Sequence, residues 1–221
     1  MTTKNIVQNA EGVRINQGVL FWAGILGPFV YVLNVILGGV ITQGYSHIRN
    51  AVSELTQRGA SNIVTLSAFF VVSAILMIAF GIAIMLHYRH QSRQVYAGGA
   101  LIVVYGVFAA LLATVFPQDP VGAESTFPGT MHLVFAGLAA LVIVGSILLI
   151  GMGLRQTEER WHYFKLYSVI TVIVMLIFGA STPILMMNGI ELMGLFERLT
   201  QLAYLQWFVI LAVKSSAVNT R

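Results

Sequence analysis

The residues best suited to chemistry lie in one stretch, Gly-Tyr-Ser-His-Ile-Arg-Asn-Ala-Val-Ser-Glu-Leu, which begins at Gly44 and runs on to Arg58. It places hydroxyl, imidazole, guanidinium and carboxylate groups close together in a chain of which only 9% is charged. If residues 46–58 are helical, His47, Asn50 and Glu54 share a face with Arg58, because offsets of three and four residues do. Other polar residues flank apolar runs further along, and the ligand-binding site that we predict from both sets is Ser46, His47, Arg49, Ser53, Glu54, Arg58, Asp119, His132, Glu197 and Arg198.

The arginines of this set favour an anionic ligand. Arg49, Arg58 and Arg198 could together bind a phosphate or another charged head group, with the carboxylates orienting them. The alternative to ligand binding is a structural role, in which an ion pair such as Glu54 with Arg58 holds two helix ends together. Ionisable residues near a bilayer are costly unless they are paired or hydrated, which makes them candidates for function.

The histidines and carboxylates allow a second chemistry. Weak candidates for zinc ligands are His47, Asp119 and His132, with Glu54 or Glu197 as the base of a hydrolase that acts on a lipid-like substrate. Against this alternative, the chain has no His-Glu-x-x-His pattern. We therefore expect no cofactor, with zinc left open.

Composition identifies the kind of molecule that must position these residues. Of 221 residues, 57% are hydrophobic and only 9% are charged, whereas a soluble domain carries about 25% charged residues. The sequence predicts an integral membrane protein with one domain, 1–221. The chain has no cysteine, which excludes disulfides and thiol catalysis. The net charge of +4 can be explained by the excess of Lys and Arg that membrane proteins carry in their cytoplasmic loops. We therefore expect no nucleic-acid partner.

Six apolar runs are long enough to cross a bilayer, because about 20 helical residues span its hydrocarbon core. We predict an all-α bundle of six transmembrane helices, with spans at 18–42, 63–87, 95–116, 131–154, 166–187 and 195–213. The last run is the least apolar, since Glu197, Arg198, Thr200 and Gln201 occupy its start.

The basic residues predict the orientation. With six crossings, one side would hold both termini and the loops 88–94 and 155–165, and with them nine of the 12 Lys and Arg residues. Lys and Arg concentrate on the cytoplasmic side of membrane proteins. Both termini should therefore be cytoplasmic, and the predicted site should face outward.

These residues also resemble a bacterial and archaeal family called domain of unknown function 998. The matching segments are Gly44-Tyr-Ser-His-Ile-Arg-Asn-x-x-Ser-Glu-Leu55, Phe116-Pro-x-Asp119, His132 at the start of the next run, Gly194-x-x-Glu197-Arg198, and Tyr204-x-x-Trp207. The resemblance covers nearly the whole chain. It implies a six-span membrane protein whose polar positions, the predicted set apart from Arg58, lie on one face. It implies no activity.

The function that we expect is the binding of a lipid head group or small amphiphile in an outward-facing pocket of a multi-pass protein in a prokaryotic plasma membrane. The partners would be membrane lipid and this ligand. The alternatives are the metal-assisted hydrolase and a structural or assembly partner in the membrane. The sequence leaves the oligomeric state open.

Overall fold

The computed structural model describes residues 17–157 and 159–216. Its six long helices are α1 (Gln17–Ile41), α2 (Ile63–Tyr88), α3 (Arg93–Thr114), α4 (Phe127–Leu154), α5 (Phe164–Met187) and α6 (Met193–Ser216). Two short 3₁₀-helices lie at Val52–Thr56 and Glu159–Trp161. No strand occurs within these ranges, so the prediction of an all-α fold is confirmed.

Five of the helices, α1 to α5, contain stretches long and apolar enough to cross a membrane. By length and composition the chain is a multi-pass membrane protein. The first two turns of α6 carry Glu197, Arg198 and Gln201, and α6 is not among the five. The sixth crossing therefore stays a prediction. The cytoplasmic termini also stay a prediction, and residues 1–16 and 217–221 lie outside the described residues.

The helices pack as a closed ring in chain order. Each helix contacts the next, and α1 also contacts α6. Small residues permit the closest approach, between α2 and α3: a Cβ on Gly81 would lie 2.8 Å from the carbonyl oxygen of Gly99, and one on Gly106 would lie 2.9 Å from that of Ala74. Such small-residue contacts are typical of membrane helices, which gain little from burying apolar surface against one another.

Buried polar side chains fasten neighbouring helices inside this ring. The Asn34 amide donates to the Leu66 carbonyl at 2.9 Å, and the Ser73 hydroxyl donates to the Gly27 carbonyl at 2.8 Å, both joining α1 to α2. The indole of Trp207 donates to the Ser168 hydroxyl at 3.0 Å and joins α5 to α6. These bonds fix the helices without exposing polar groups to lipid.

Three connections meet at one end of the ring. The backbone N–H of Arg58, after α1, donates to the Gln118 carbonyl, after α3, at 2.8 Å. The N–H of Leu195, after α5, donates to the Ile48 carbonyl at 2.9 Å. Helix α4 begins at Phe127, four residues before the predicted start, because the hydroxyl of Thr126 caps it. This end of the ring carries the predicted site.

Candidate functional site

The stretch from Gly44 to Arg58 is not an α-helix, so the condition for the predicted common face of His47, Asn50, Glu54 and Arg58 is not met. Residues 47–49 form a turn, Ala51 is extended, and only 52–56 coil into a 3₁₀-helix. Local side-chain bonds explain this, because the Asn50 amide oxygen accepts from the Ser46 N–H at 2.9 Å. The Glu54 carboxylate accepts from the Ala51 N–H and the Asn50 amide, both at 2.7 Å. Polar side chains that bond nearby backbone compete with helix formation.

The folded stretch docks on the first turns of α6. The Glu197 carboxylate accepts from the Val52 N–H at 2.8 Å and from the Gln201 amide at 3.0 Å. A Cβ on Gly194 would overlap the carbonyl oxygen of Asn50, so the two backbones touch. Glu54 and Glu197 thus both hold the backbone of the same short segment. They do so through hydrogen bonds and not through the ion pair of Glu54 with Arg58 that the sequence suggested, since Arg58 pairs with Asp119.

Arg198 extends from α6 into the same contact and has only neutral hydrogen-bond partners. Its Nη1 donates to the carbonyls of Asn50 and Gly194, at 3.0 and 2.8 Å, and its Nη2 donates to the Tyr45 hydroxyl. Its Nε is buried and has no hydrogen-bond partner in the described part of the chain. Burial raises the pKa of Tyr45 to about 12, so this phenol stays neutral, and its O–H donates a hydrogen bond to the Ala51 carbonyl at 2.8 Å.

Beside Arg198, a cavity of about 220 Å³ lies between α1 and α6. Three polar side chains, those of His47, Arg198 and Gln201, contribute to its lining. The rest is aromatic or aliphatic and consists of Tyr31, Val32, Val35, Ile36, Leu202 and Leu205. Almost all of the surface that lines the cavity is apolar, and apolar lining predominates in small-ligand sites.

His47 lies at the surface next to this cavity. Its ring meets the Tyr45 ring edge to face at 5.4 Å between centroids, and a Cβ on Gly39 would overlap it. Lost hydration and the positive charge of Arg198 lower the pKa of His47 below its ordinary value. The imidazole is therefore neutral at pH 7 and offers a hydrogen bond rather than a second charge.

Arg58 and Asp119 form a second polar cluster. The carboxylate accepts from the backbone N–H of Thr126 at 2.7 Å and from its hydroxyl at 2.8 Å. It also pairs with the half-exposed guanidinium of Arg58 at 3.2 Å. The Thr126 bonds, and to a smaller extent Arg58, hold the pKa of Asp119 below its ordinary value. Asp119 therefore anchors the start of α4 in this structure.

Four further residues of the predicted set lie elsewhere or have local roles. The Nδ1 of His132 in α4 bonds the Phe116 carbonyl at 2.7 Å. Arg49 lies 3.7 Å from Glu191, and both side chains are mostly exposed. The Ser46 hydroxyl accepts from the Arg49 N–H at 3.4 Å, and Ser53 is partly buried in the 3₁₀-helix.

The structure thus divides the predicted site. Glu54, Glu197, Arg198 and His47 lie together where the loop meets α6. Asp119 lies in the α3–α4 connection, and Arg58 from the α1–α2 connection and His132 from α4 contact this second region. In the parts of the chain that the structure describes, no three His, Cys, Asp or Glu side chains are grouped as metal ligands. The predicted set omitted other residues that bond to these groups or line the cavity, namely Tyr31, Tyr45, Asn50 and Gln201. Gln201 had a usable signal, since it lies one helical turn after Glu197.

A ring of long apolar helices with a polar cluster at one end defines a multi-pass helical membrane protein. The chain belongs to the family described as protein of unknown function DUF998, whose model matches residues 25–214. The resemblance drawn from the motifs is therefore confirmed. No curated protein and no solved structure matches the chain significantly.

Proposed function

We propose that this protein binds an anionic amphiphile of the membrane, with its head group against Arg198 and its apolar part in the cavity between α1 and α6. The observation that carries the proposal is the bonding of Arg198. A partly buried guanidinium is normally stabilised by a carboxylate or phosphate. Among the described residues, Arg49 and Arg58 have such ion pairs and Arg198 has none.

Glu197 does not fill this role directly. Its carboxylate is engaged by the Val52 N–H and the Gln201 amide. Its charge attracts the neighbouring guanidinium through space, but the two groups form no ion pair in the described structure. An anionic head group would give Arg198 a charged partner, and His47 and Gln201 are also among the residues that line the cavity.

The topology belongs to the same proposal. With α6 as a sixth crossing, both termini lie in the cytoplasm of a prokaryote and the cavity opens near the outer surface of its plasma membrane. The distribution of basic residues supports this orientation, with nine Lys and Arg residues on one side against three on the other. Among residues 17–157 and 159–216, no three His, Cys, Asp or Glu side chains are grouped as metal ligands, so no contact there favours the zinc hydrolase.

The test is to identify what the purified protein carries. Native mass spectrometry of protein extracted in mild detergent should show one anionic amphiphile bound. Val32→Trp fills the cavity without touching a hydrogen bond of the site, and it should reduce this occupancy at least tenfold. The matched control is Leu33→Trp, at the neighbouring position, whose side chain is exposed on the outer face of α1. This control should bind as the wild type does.

Two results would contradict the proposal. One is a wild-type protein that is free of amphiphile and acquires none when anionic lipid is added. The other is unchanged binding in Val32→Trp. Thermal unfolding of all three proteins shows whether the variants are folded, so that a loss of ligand is not mistaken for a loss of structure.

A further inference from the structure

The residues that line the cavity between α1 and α6 differ in type along its depth, although almost all of the lining surface is apolar. Helix α1 ends and α6 begins at the same end of the ring, so Ile36 and Arg198 lie nearest to that end and Tyr31 and Leu205 lie deepest. At 1.5 Å per residue, Arg198 is about 7 Å and Leu205 about 18 Å from the start of α6. The polar groups are thus near the membrane surface, and the apolar lining continues to about half the thickness of a 30 Å hydrocarbon core.

This arrangement, with polar residues near the surface and apolar residues deeper, matches the order of head group and chain in one leaflet of a bilayer. An amphiphile in the leaflet has its head group at the surface and its chain directed to the midplane, so it can occupy the cavity without turning over. The cavity wall also continues into the lipid-facing surface, because the side chains of Ile36 and Leu202 are 54% and 49% exposed. A chain can therefore reach the cavity sideways from the membrane.

The size of the cavity limits how much of a lipid it can hold. Its volume of about 220 Å³ is below the range of roughly 300–1,000 Å³ that is common for small-molecule sites. The helical part of the lining comes from a single face of each helix, because the residues lie three or four positions apart or next to one another. The positions are 31, 32, 35 and 36 on α1 and 198, 201, 202 and 205 on α6. A cavity of this volume has room for part of one extended chain but not for two chains side by side.

Building on the proposed function, we infer that the preferred ligand is a single-chain amphiphile with an anionic head group, such as a lysophospholipid. Its head group lies against Arg198, and its one chain runs along Val35 and Val32 towards Leu205. A two-chain lipid would have to leave its second chain outside the cavity, which forfeits part of the apolar contact.

The experiment compares four probes on delipidated protein in detergent, by thermal unfolding and native mass spectrometry. They are lysophosphatidylglycerol, phosphatidylglycerol, lysophosphatidylcholine with the same chain, and glycerol 3-phosphate. Lysophosphatidylglycerol should raise the melting temperature most and bind at least tenfold more tightly than the other three. The shift should disappear in Val32→Trp and persist in Leu33→Trp.

The outcomes separate this inference from the function on which it rests. If phosphatidylglycerol binds as tightly as its single-chain form and Val32→Trp abolishes both, the protein binds anionic lipid but the preference for one chain is wrong. If glycerol 3-phosphate alone reproduces the shift, the chain is not recognised, which also overturns the inference. If lysophosphatidylcholine equals lysophosphatidylglycerol, or if no probe binds, the proposed function itself fails.

Discussion

At the scale of single residues, the structure separates groups that the sequence presents alike. Arg49, Arg58 and Arg198 are equivalent in the sequence, each an arginine in a polar segment beside an apolar run. Only their partners distinguish them. Arg49 pairs with an exposed carboxylate, Arg58 pairs with the carboxylate that holds the N-cap residue of α4, and Arg198 bonds to neutral acceptors. The candidate ligand contact therefore follows from tertiary structure, through bonds between residues about 150 positions apart.

Asp119 offers a test of its anchoring role. Since its pKa is lower in the folded protein than its ordinary value, its ionised form stabilises the fold above about pH 4, the ordinary value for the unfolded chain. This stabilisation is lost as the pH falls through the lower, folded pKa. Asp119→Asn should melt below the wild type at pH 7, and the difference should shrink below about pH 4.

The control for this measurement is Glu124→Gln, an exposed carboxylate in the same connection. Its melting temperature should follow that of the wild type at every pH. If the difference between Asp119→Asn and the wild type stayed constant down to about pH 2, the carboxylate would have no special role in holding α4.

At the scale of elements, the long helices could be predicted from the sequence because an apolar run that must cross a bilayer can satisfy its backbone only as a helix. Their observed bounds differ from the predicted spans by four residues at most, at the start of α4. The connections could not be predicted in this way. The 44–58 stretch has helical spacing, but the Asn50 and Glu54 side chains bond to nearby backbone groups, and the Val52 N–H donates to Glu197 of α6. These contacts replace an α-helix with a turn and a 3₁₀-helix.

The contact between this stretch and α6 predicts the effect of one methyl group. Gly194→Ala places a Cβ against the Asn50 carbonyl, which should push the loop off Glu197 and Arg198. We expect a loss of about 1–3 kcal/mol in the free energy of unfolding and weaker amphiphile binding. Chemical unfolding in detergent and the native mass spectrum measure the two effects.

Gly137→Ala is the matched control, because that glycine is also helical and a Cβ there meets nothing within 4 Å. It should be neutral or stabilise the protein by up to about 1 kcal/mol, as alanine does in helices. Equal behaviour of the two variants would show that the loop is not held against α6 as described.

At the scale of the whole molecule, the proposed sixth crossing by α6 predicts which connections face outward. Because the sequence has no cysteine, a single introduced cysteine is the only one that a maleimide can label. With six crossings, Ser125→Cys after α3 should react with an impermeant maleimide in intact cells. Gln91→Cys after α2 and Ser216→Cys at the end of α6 should react only after permeabilisation. Labelling of Ser216→Cys together with Ser125→Cys in intact cells would mean that α6 does not cross.

The ring of helices closes where α1 meets α6, so its seam joins the earliest and the latest helices of the chain. The cavity lies in this seam, with one wall from each of the two. Because α1 is made first and α6 last, the cavity can form only after the helices between them have been synthesised. A bound amphiphile would then contact both the first and the last helix and stabilise the closed ring. Its presence would show that the ring has closed.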